Sequence, residues 1–195
     1  MTLPYSLSRP SDPSVEPVSL SELKAHLRID HTDDDTALTN LIKACRQQVE
    51  RDTRRALITQ TWRLKLDAWP RSAIVLHHVP IQSVTSITYV DHAGTIQTLA
   101  NTEYVVDTDS QPGLIVLAYG SSWPSLRGQP RDVVVTYVAG YGAAGTDVPY
   151  ELRQAVLLRA QMEYDGWNAD AVGSSRGAAD AYERIVRSCA AGTYP

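Results

Sequence analysis

The sequence predicts an α+β protein, a four-helix bundle split by an antiparallel β-rich insertion. Three observations carry this reading. Apolar residues recur at spacings of three and four from Leu20 to Val49 and again from Leu152 to Cys189, the period of helices with one buried face. Between these stretches the period falls to two, as in Trp62, Leu64 and Leu66 alternating with Arg63, Lys65 and Asp67, which marks half-buried strands. Turn residues punctuate the alternating stretch at short intervals, which favours antiparallel pairing. Neither helix pair can bury its apolar face without the other, so all four should pack together, with the β block extruded between the second and third.

The elements follow in order. Pro4, Pro10, Pro13 and Pro17 make residues 1–17 an extended arm, because each proline fixes its own φ and drives the preceding residue out of the helical region. Ser19 and Glu22 then form a capping box with a Val18–Leu23 staple, starting a short helix at Leu20 whose face is Leu20, Leu23 and Leu27. The second helix follows Thr32 and the acidic run Asp33, Asp34 and Asp35, carboxylates suited to a positive dipole end. Its apolar stripe is Leu38, Leu41, Ile42, Cys45 and Val49, opposite Lys43, Arg46, Gln47, Glu50, Arg51 and Arg54. After the strand around Trp62–Leu66 come Ile74–Leu76, Thr85–Val90, Thr95–Leu99, Tyr104–Asp107, Leu114–Leu117 and Val133–Val138, with turns at Asp91–Gly94 and Pro112–Gly113. Pro149 precedes a largely buried helix over Glu151–Tyr164, Gly166–Gly177 forms a loop, and a last helix spans about Ala178–Ala190. The resulting division is arm 1–17, bundle 18–56 and 147–191, insertion 57–146 and tail 192–195.

Composition excludes several classes of function. A chain of 195 residues with 43% hydrophobic residues builds a core without disulfide or metal staples. No apolar run approaches the roughly 20 residues that span a bilayer, and the N-terminus lacks the basic start and apolar stretch of a secretory signal. The net charge of -4, from 18 Lys and Arg against 22 Asp and Glu, disfavours tight nonspecific binding to nucleic acid. Cys45 and Cys189 both fall at apolar helical positions and read as reduced core thiols.

Candidate chemistry is sparse. Gly140-Tyr141-Gly142-Ala143-Ala144-Gly145 matches G-x-G-x-x-G, the pattern of a nucleotide-binding enzyme. Its context fails, because Pro149 starts the helix beyond the third glycine and no second parallel strand follows to end in a ribose-binding acid. Asp30, Thr32 and Asp34 resemble a calcium loop, but Asp35 stands where glycine must turn the chain and Leu41 where glutamate must chelate, so helix capping is the better account. His77 and His78 point to opposite faces of a strand end and do not share a metal easily. A DNA-binding module would use Arg46, Arg51, Arg54 and Arg55; Glu50 and Asp52 interleave with them, which favours a solvated, internally paired helix surface.

Several strings, taken together, resemble one family. Arg55-Ala-Leu-Ile-Thr-Gln-Thr-Trp62, Tyr104-Val-Val-Asp-Thr108, Trp123-Pro124, Val135-Thr-Tyr-Val-Ala-Gly-Tyr-Gly142 and Val148-Pro-Tyr-Glu-Leu-Arg-Gln-Ala155 are similar to the phage head-tail connector, or adaptor, family, in its larger subgroup with a β insertion. The likeness runs from about Val18 to Cys189 and absorbs the glycine string. It implies a virion structural protein at the head-tail junction, assembled in the host cytoplasm, with no catalytic residue, cofactor or metal. Its partners would be the portal protein, a tail-side connector or tail terminator, and copies of itself in a ring, usually of twelve. DNA would pass through without sequence-specific binding, and no membrane is involved. The family's C-terminal segment commonly docks onto the portal, which points to the region of Tyr182, Ile185, Val186, Arg187, Thr193, Tyr194 and Pro195.

Overall fold

In a computed structural model, which describes residues 5–167 and 175–192, the chain forms two units. The helical unit is built from Pro13–Ile58 and Tyr141–Ala191, and the β unit from residues 5–12, Thr59–Gly140 and Gly192.

The helical unit holds α1 (Leu20–Leu27), α2 (Asp35–Thr53), α3 (Tyr150–Trp167) and α4 (Ser175–Cys189). The capping box forms as expected: Ser19 Oγ accepts the Glu22 N–H at 3.2 Å, and Glu22 Oε2 accepts the Ser19 N–H at 2.8 Å. Val18 and Leu23 are both buried, consistent with the staple. Asp34 stands at the N-cap of α2 but makes no side-chain cap bond. The acidic run acts there through charge instead, with Asp35 receiving the Lys24 ammonium at 2.6 Å. Leu23 of α1, the full apolar stripe of α2, Leu152, Ala155 and Val156 of α3 and Ala178 and Tyr182 of α4 meet in one core. Helices from both sides of the insertion therefore complete a single bundle. The loop expected over Gly166–Gly177 is narrower: α3 runs through Gly166 and α4 includes Gly177. Each glycine lies near a helix end, where its cost of about 1 kcal/mol is easily met. Residues 168–174 of that loop lie outside the described residues.

The polar side of α2 departs from expectation. Arg46 and Glu50 are not solvated; they are buried, at 0% and 2% exposure. The chain before α1 covers Arg46 through Glu16, and the turn after α2 covers Glu50 through Leu57. A 3.6-residue period identifies which face meets the other helices, but not which polar positions the chain's own connecting segments roof over.

The β unit contains two antiparallel sheets. The larger has the order β1 (Tyr5–Ser8), β2 (Gln60–Leu66), β8 (Val133–Ala139), β4 (Ile81–Val90) and β5 (Ile96–Thr98). The smaller has the order β3 (Ile74–Leu76), β7 (Gly113–Leu117) and β6 (Tyr104–Asp107). Alternation places Trp62, Leu64 and Leu66 of β2 and Val133, Val135, Tyr137 and Ala139 of β8 in the interior. Strand β4 starts four residues before the expected Thr85, because register shifts between Ile81 and Ser83 and between Val84 and Ser86 break its alternation while pairing with β8 continues. Strand β1 is an addition: part of the proline-rich arm pairs with β2, with Leu7 opposite Leu64. Four residues between two prolines are too short a run to show a period. The turn at Asp91–Gly94 forms, with Gly94 at a φ of 84° where a side chain would be strained.

Two buried polar anchors hold the β unit. The Tyr137 hydroxyl donates to the His77 carbonyl at 2.5 Å. Asp132 is buried and accepts the Gln129 N–H at 2.7 Å and the Arg127 guanidinium at 2.9 Å, which together hold its carboxyl below the usual range. Replacing Tyr137 by Phe keeps the ring but removes the donor to a buried carbonyl. The expected loss is about 1–2 kcal/mol in chemical denaturation, with no change in the folded spectrum.

Candidate functional site

Of the candidates the sequence offered, the glycine string, the arginine edge and the C-terminal region have different fates. At the glycine string, Gly142 lies against the Asp147 side chain, so that an added Cβ would sit 2.1 Å from its carboxylate. The same carboxylate accepts the Ala144 N–H at 2.9 Å, occupying the kind of donor a phosphate would need. Gly145 packs against backbone, where a Cβ would fall 2.8 Å from the Glu16 carbonyl. A short 3₁₀ turn, Gly145–Asp147, then leads into α3. These glycines serve close approach of the chain to itself.

The arginine edge does not present its four cations to a duplex. Arg46 lies inside the bundle, with Nε 2.7 Å from Glu16 Oε2 and Nη1 2.9 Å from Glu50 Oε2. The other Glu50 oxygen accepts the Leu57 N–H at 3.0 Å. Arg55 donates to the Cys189 carbonyl at 2.5 Å and the Tyr141 hydroxyl at 2.9 Å, tying the end of α2 to the end of α4. Arg51 and Arg54 are exposed, and Arg51 donates to Gln48.

The C-terminal region is divided. Tyr182 is buried and donates to Asp52 Oδ2 at 2.6 Å. Burial, followed by that carboxylate, pushes its hydroxyl pKa up. Ile185 and Val186 are half-buried against the bundle core. Arg187 is exposed and pairs with Glu183 one turn earlier. Thr193, Tyr194 and Pro195 lie outside the described residues. Of the two thiols, Cys45 is buried and pushed up to about 12 by desolvation, which leaves it a packing residue.

Sequence reasoning missed a cleft of about 440 Å³ in the helical unit, bounded by Val15, Pro17, Leu20, Ile42, Thr146 and Arg153. Arg153 spans its rim, donating to the Pro17 carbonyl at 3.1 Å and pairing with Glu22. Its walls are mostly apolar, with the Arg153–Glu22 ion pair at the rim.

Residues 17–94 match the family model of the phage gp6-like head-tail connector protein. A solved chain from the virion of a native gene transfer agent particle superposes with a TM-score of 0.79 at 25% identity, covering 97% of each chain. The chain thus resembles the head-tail connector family in both sequence and fold. A chain from the neck of an empty gene transfer agent particle, computed with C6 symmetry, shares this fold with a TM-score of 0.81 at 24% identity over 97% of both chains. A chain from the neck of the native particle, computed with C12 symmetry, gives 0.78 at 23% over the same share. No curated protein sequence matches. The helical bundle with its β insertion is the fold shared with these virion and neck chains.

Two outcomes test the site's energetics. Arg46→Ala strands two carboxylates, one of them fully buried, and should cost about 3–5 kcal/mol in urea denaturation, with Arg46→Lys losing less. The Glu22 carboxyl is held below its ordinary value of 4.5, first by the Ser19 N–H and then by the Ser19 hydroxyl and Arg153. A depressed carboxylate contributes stability above its unfolded value and loses it as pH falls through the folded one. Glu22→Gln should therefore melt lower than the parent near neutral pH, and the gap should close on acidification below about pH 4.

Proposed function

We propose that this chain forms a homo-oligomeric ring beneath the portal of a phage-like particle, joins capsid to tail, and lets DNA pass. The observation that carries the reading is the likeness over 97% of the chain to a gene transfer agent virion chain at 25% identity. The C6 and C12 symmetries belong to the necks that hold the similar chains, and they support a ring for this one; the host cytoplasm is where this reading has it assemble.

The chemistry is consistent with a conduit. Each phosphate neutralised by Lys or Arg adds salt-dependent affinity that must be broken again in transit. A net charge of -4, with Arg46 buried, limits such grip. A closed ring of identical subunits needs two different complementary patches on each copy. Exposed apolar side chains are available in both units: Ile96, Val105 and Tyr119 in the β unit, Val15 and Tyr150 in the helical unit.

The portal partner meets the C-terminal region of Tyr182–Pro195 in this reading, with a tail-side connector or terminator on the other side. Arg187 is exposed there and paired with Glu183, while Tyr182, Ile185 and Val186 hold α4 to the bundle. Removing Thr193, Tyr194 and Pro195 should leave the melting temperature unchanged and weaken association with the portal at least tenfold, about 1.4 kcal/mol. Sedimentation of portal and connector mixtures reads the result, and undiminished association would exclude the C-terminal contact.

A further inference from the structure

Strand β1 is the edge strand that the N-terminal arm adds to the larger sheet. It pairs only with β2, through Tyr5↔Leu66, Ser6↔Lys65, Leu7↔Leu64 and Ser8↔Arg63, and it forms one edge of the larger sheet. Its two end residues are exposed and its two central ones half-buried, so it contributes little apolar burial of its own. Beyond the ladder it is fastened by side chains that travel with it. Tyr5 stacks on His77 at 4.7 Å, and Arg9 donates to Gln60 at 3.0 Å and lies over the Trp62 ring at 5.7 Å. Asp12 pairs with Arg9 at 2.5 Å. Residues 5–12 thus behave as one docked segment.

The chain leaves the β unit after Asp12 and enters the helical unit at Pro13. From there it is held at Glu16, by Arg46. The link between the two fixed points is proline-rich, with Pro10, Pro13 and Pro17, and it bends at Ser14–Val15 without forming a helix. Prolines keep such a link extended, at about 3.1 Å per residue, and lower the entropy lost when it reaches outward. The receiving edge is demanding. Without β1, the seven-residue β2 would expose a full row of backbone donors and acceptors beside buried Trp62, Leu64 and Leu66, an edge that must be covered.

We propose that in the assembled ring this edge is covered by the β1 segment of a neighbouring copy, an exchange of residues 5–12 from subunit to subunit. The proposal rests on the ring reading above. Its occupant is a second copy because the segment that fits the edge in register, side chain by side chain, is this chain's own. Every docking contact in the exchanged form is the one already present, so exchange costs no interaction. The balance is set by the hinge at Pro13–Val15 and by the high local concentration of subunits in a ring. Head-to-tail donation of this kind closes a ring without requiring a new complementary patch.

The test uses Ser8→Cys with Arg63→Cys, opposite each other on the outer face of the ladder and both exposed, in the full chain carrying Cys189→Ser. Dilute subunits, oxidised and run on a denaturing gel, should give an internal disulfide at monomer mass, which establishes that the pair is in reach. Portal-bound assemblies, first sized by sedimentation, should give on oxidation a ladder of covalent multimers that collapses on reduction. Rings that yield only the internal disulfide, or none, overturn the exchange and leave the ring reading standing. Failure to sediment as a ring overturns both.

Discussion

One buried guanidinium organises the helical unit. Arg46 lies at the middle of α2 with no exposed surface and holds two carboxylates from different parts of the chain. Glu16 fixes where the N-terminal segment enters the bundle. Glu50 carries the tie onward, because its second oxygen holds the Leu57 N–H where the chain turns from α2 toward β2. A buried charge is costly unless fully paired, and that cost makes this arrangement selective: displacing either glutamate strands the other charges. Entry to α1 and exit from α2 are therefore set by the same side chain, and the insertion leaves the bundle from a fixed point.

Around that point the helical unit solves a problem posed by its own sequence. Its four helices are separated by the stretch that forms the β unit, yet the closing contacts are specific. Arg55, at the end of α2, reaches the Cys189 carbonyl and the Tyr141 hydroxyl. Asp52 receives Tyr182. Gly142 and Gly145 allow the returning chain to lie directly on Asp147 and on the Glu16 and Pro17 backbone. The glycine string that matches a nucleotide loop in letters is, in space, the seam by which the second half of the bundle joins the first.

Much of this was legible in advance. The capping box at Ser19, the stripe of α2, the return of helical period at Pro149 and all strands from β2 onward follow from periodicity and turn chemistry. The exceptions share a cause: each depends on a contact distant in sequence. The first half of β4 was hidden because bulges break its alternation. Strand β1 is too short to show a period and exists because β2 offers it an edge. The burial of Arg46 and Glu50 came from connecting segments laid over a face that reads as polar. For the interaction surface the sequence supplied a region through family resemblance, and the structure separates it into Tyr182, turned into the bundle, and Arg187, facing solvent. The cleft beside Arg153 left no signal because its walls come from four separate stretches of chain.

The insertion has a mechanical meaning. The chain crosses between units at Ile58–Thr59 and again at Gly140–Tyr141, and just inside the β unit these two crossings become β2 and β8, paired directly from Gln60↔Ala139 to Leu66↔Val133. The insertion therefore leaves and re-enters through one paired root, and the crossing at Asp12–Pro13 is a further covalent connection between the units. Fraying elsewhere in the β unit leaves that root closed until the ladder from Gln60↔Ala139 to Leu66↔Val133 parts.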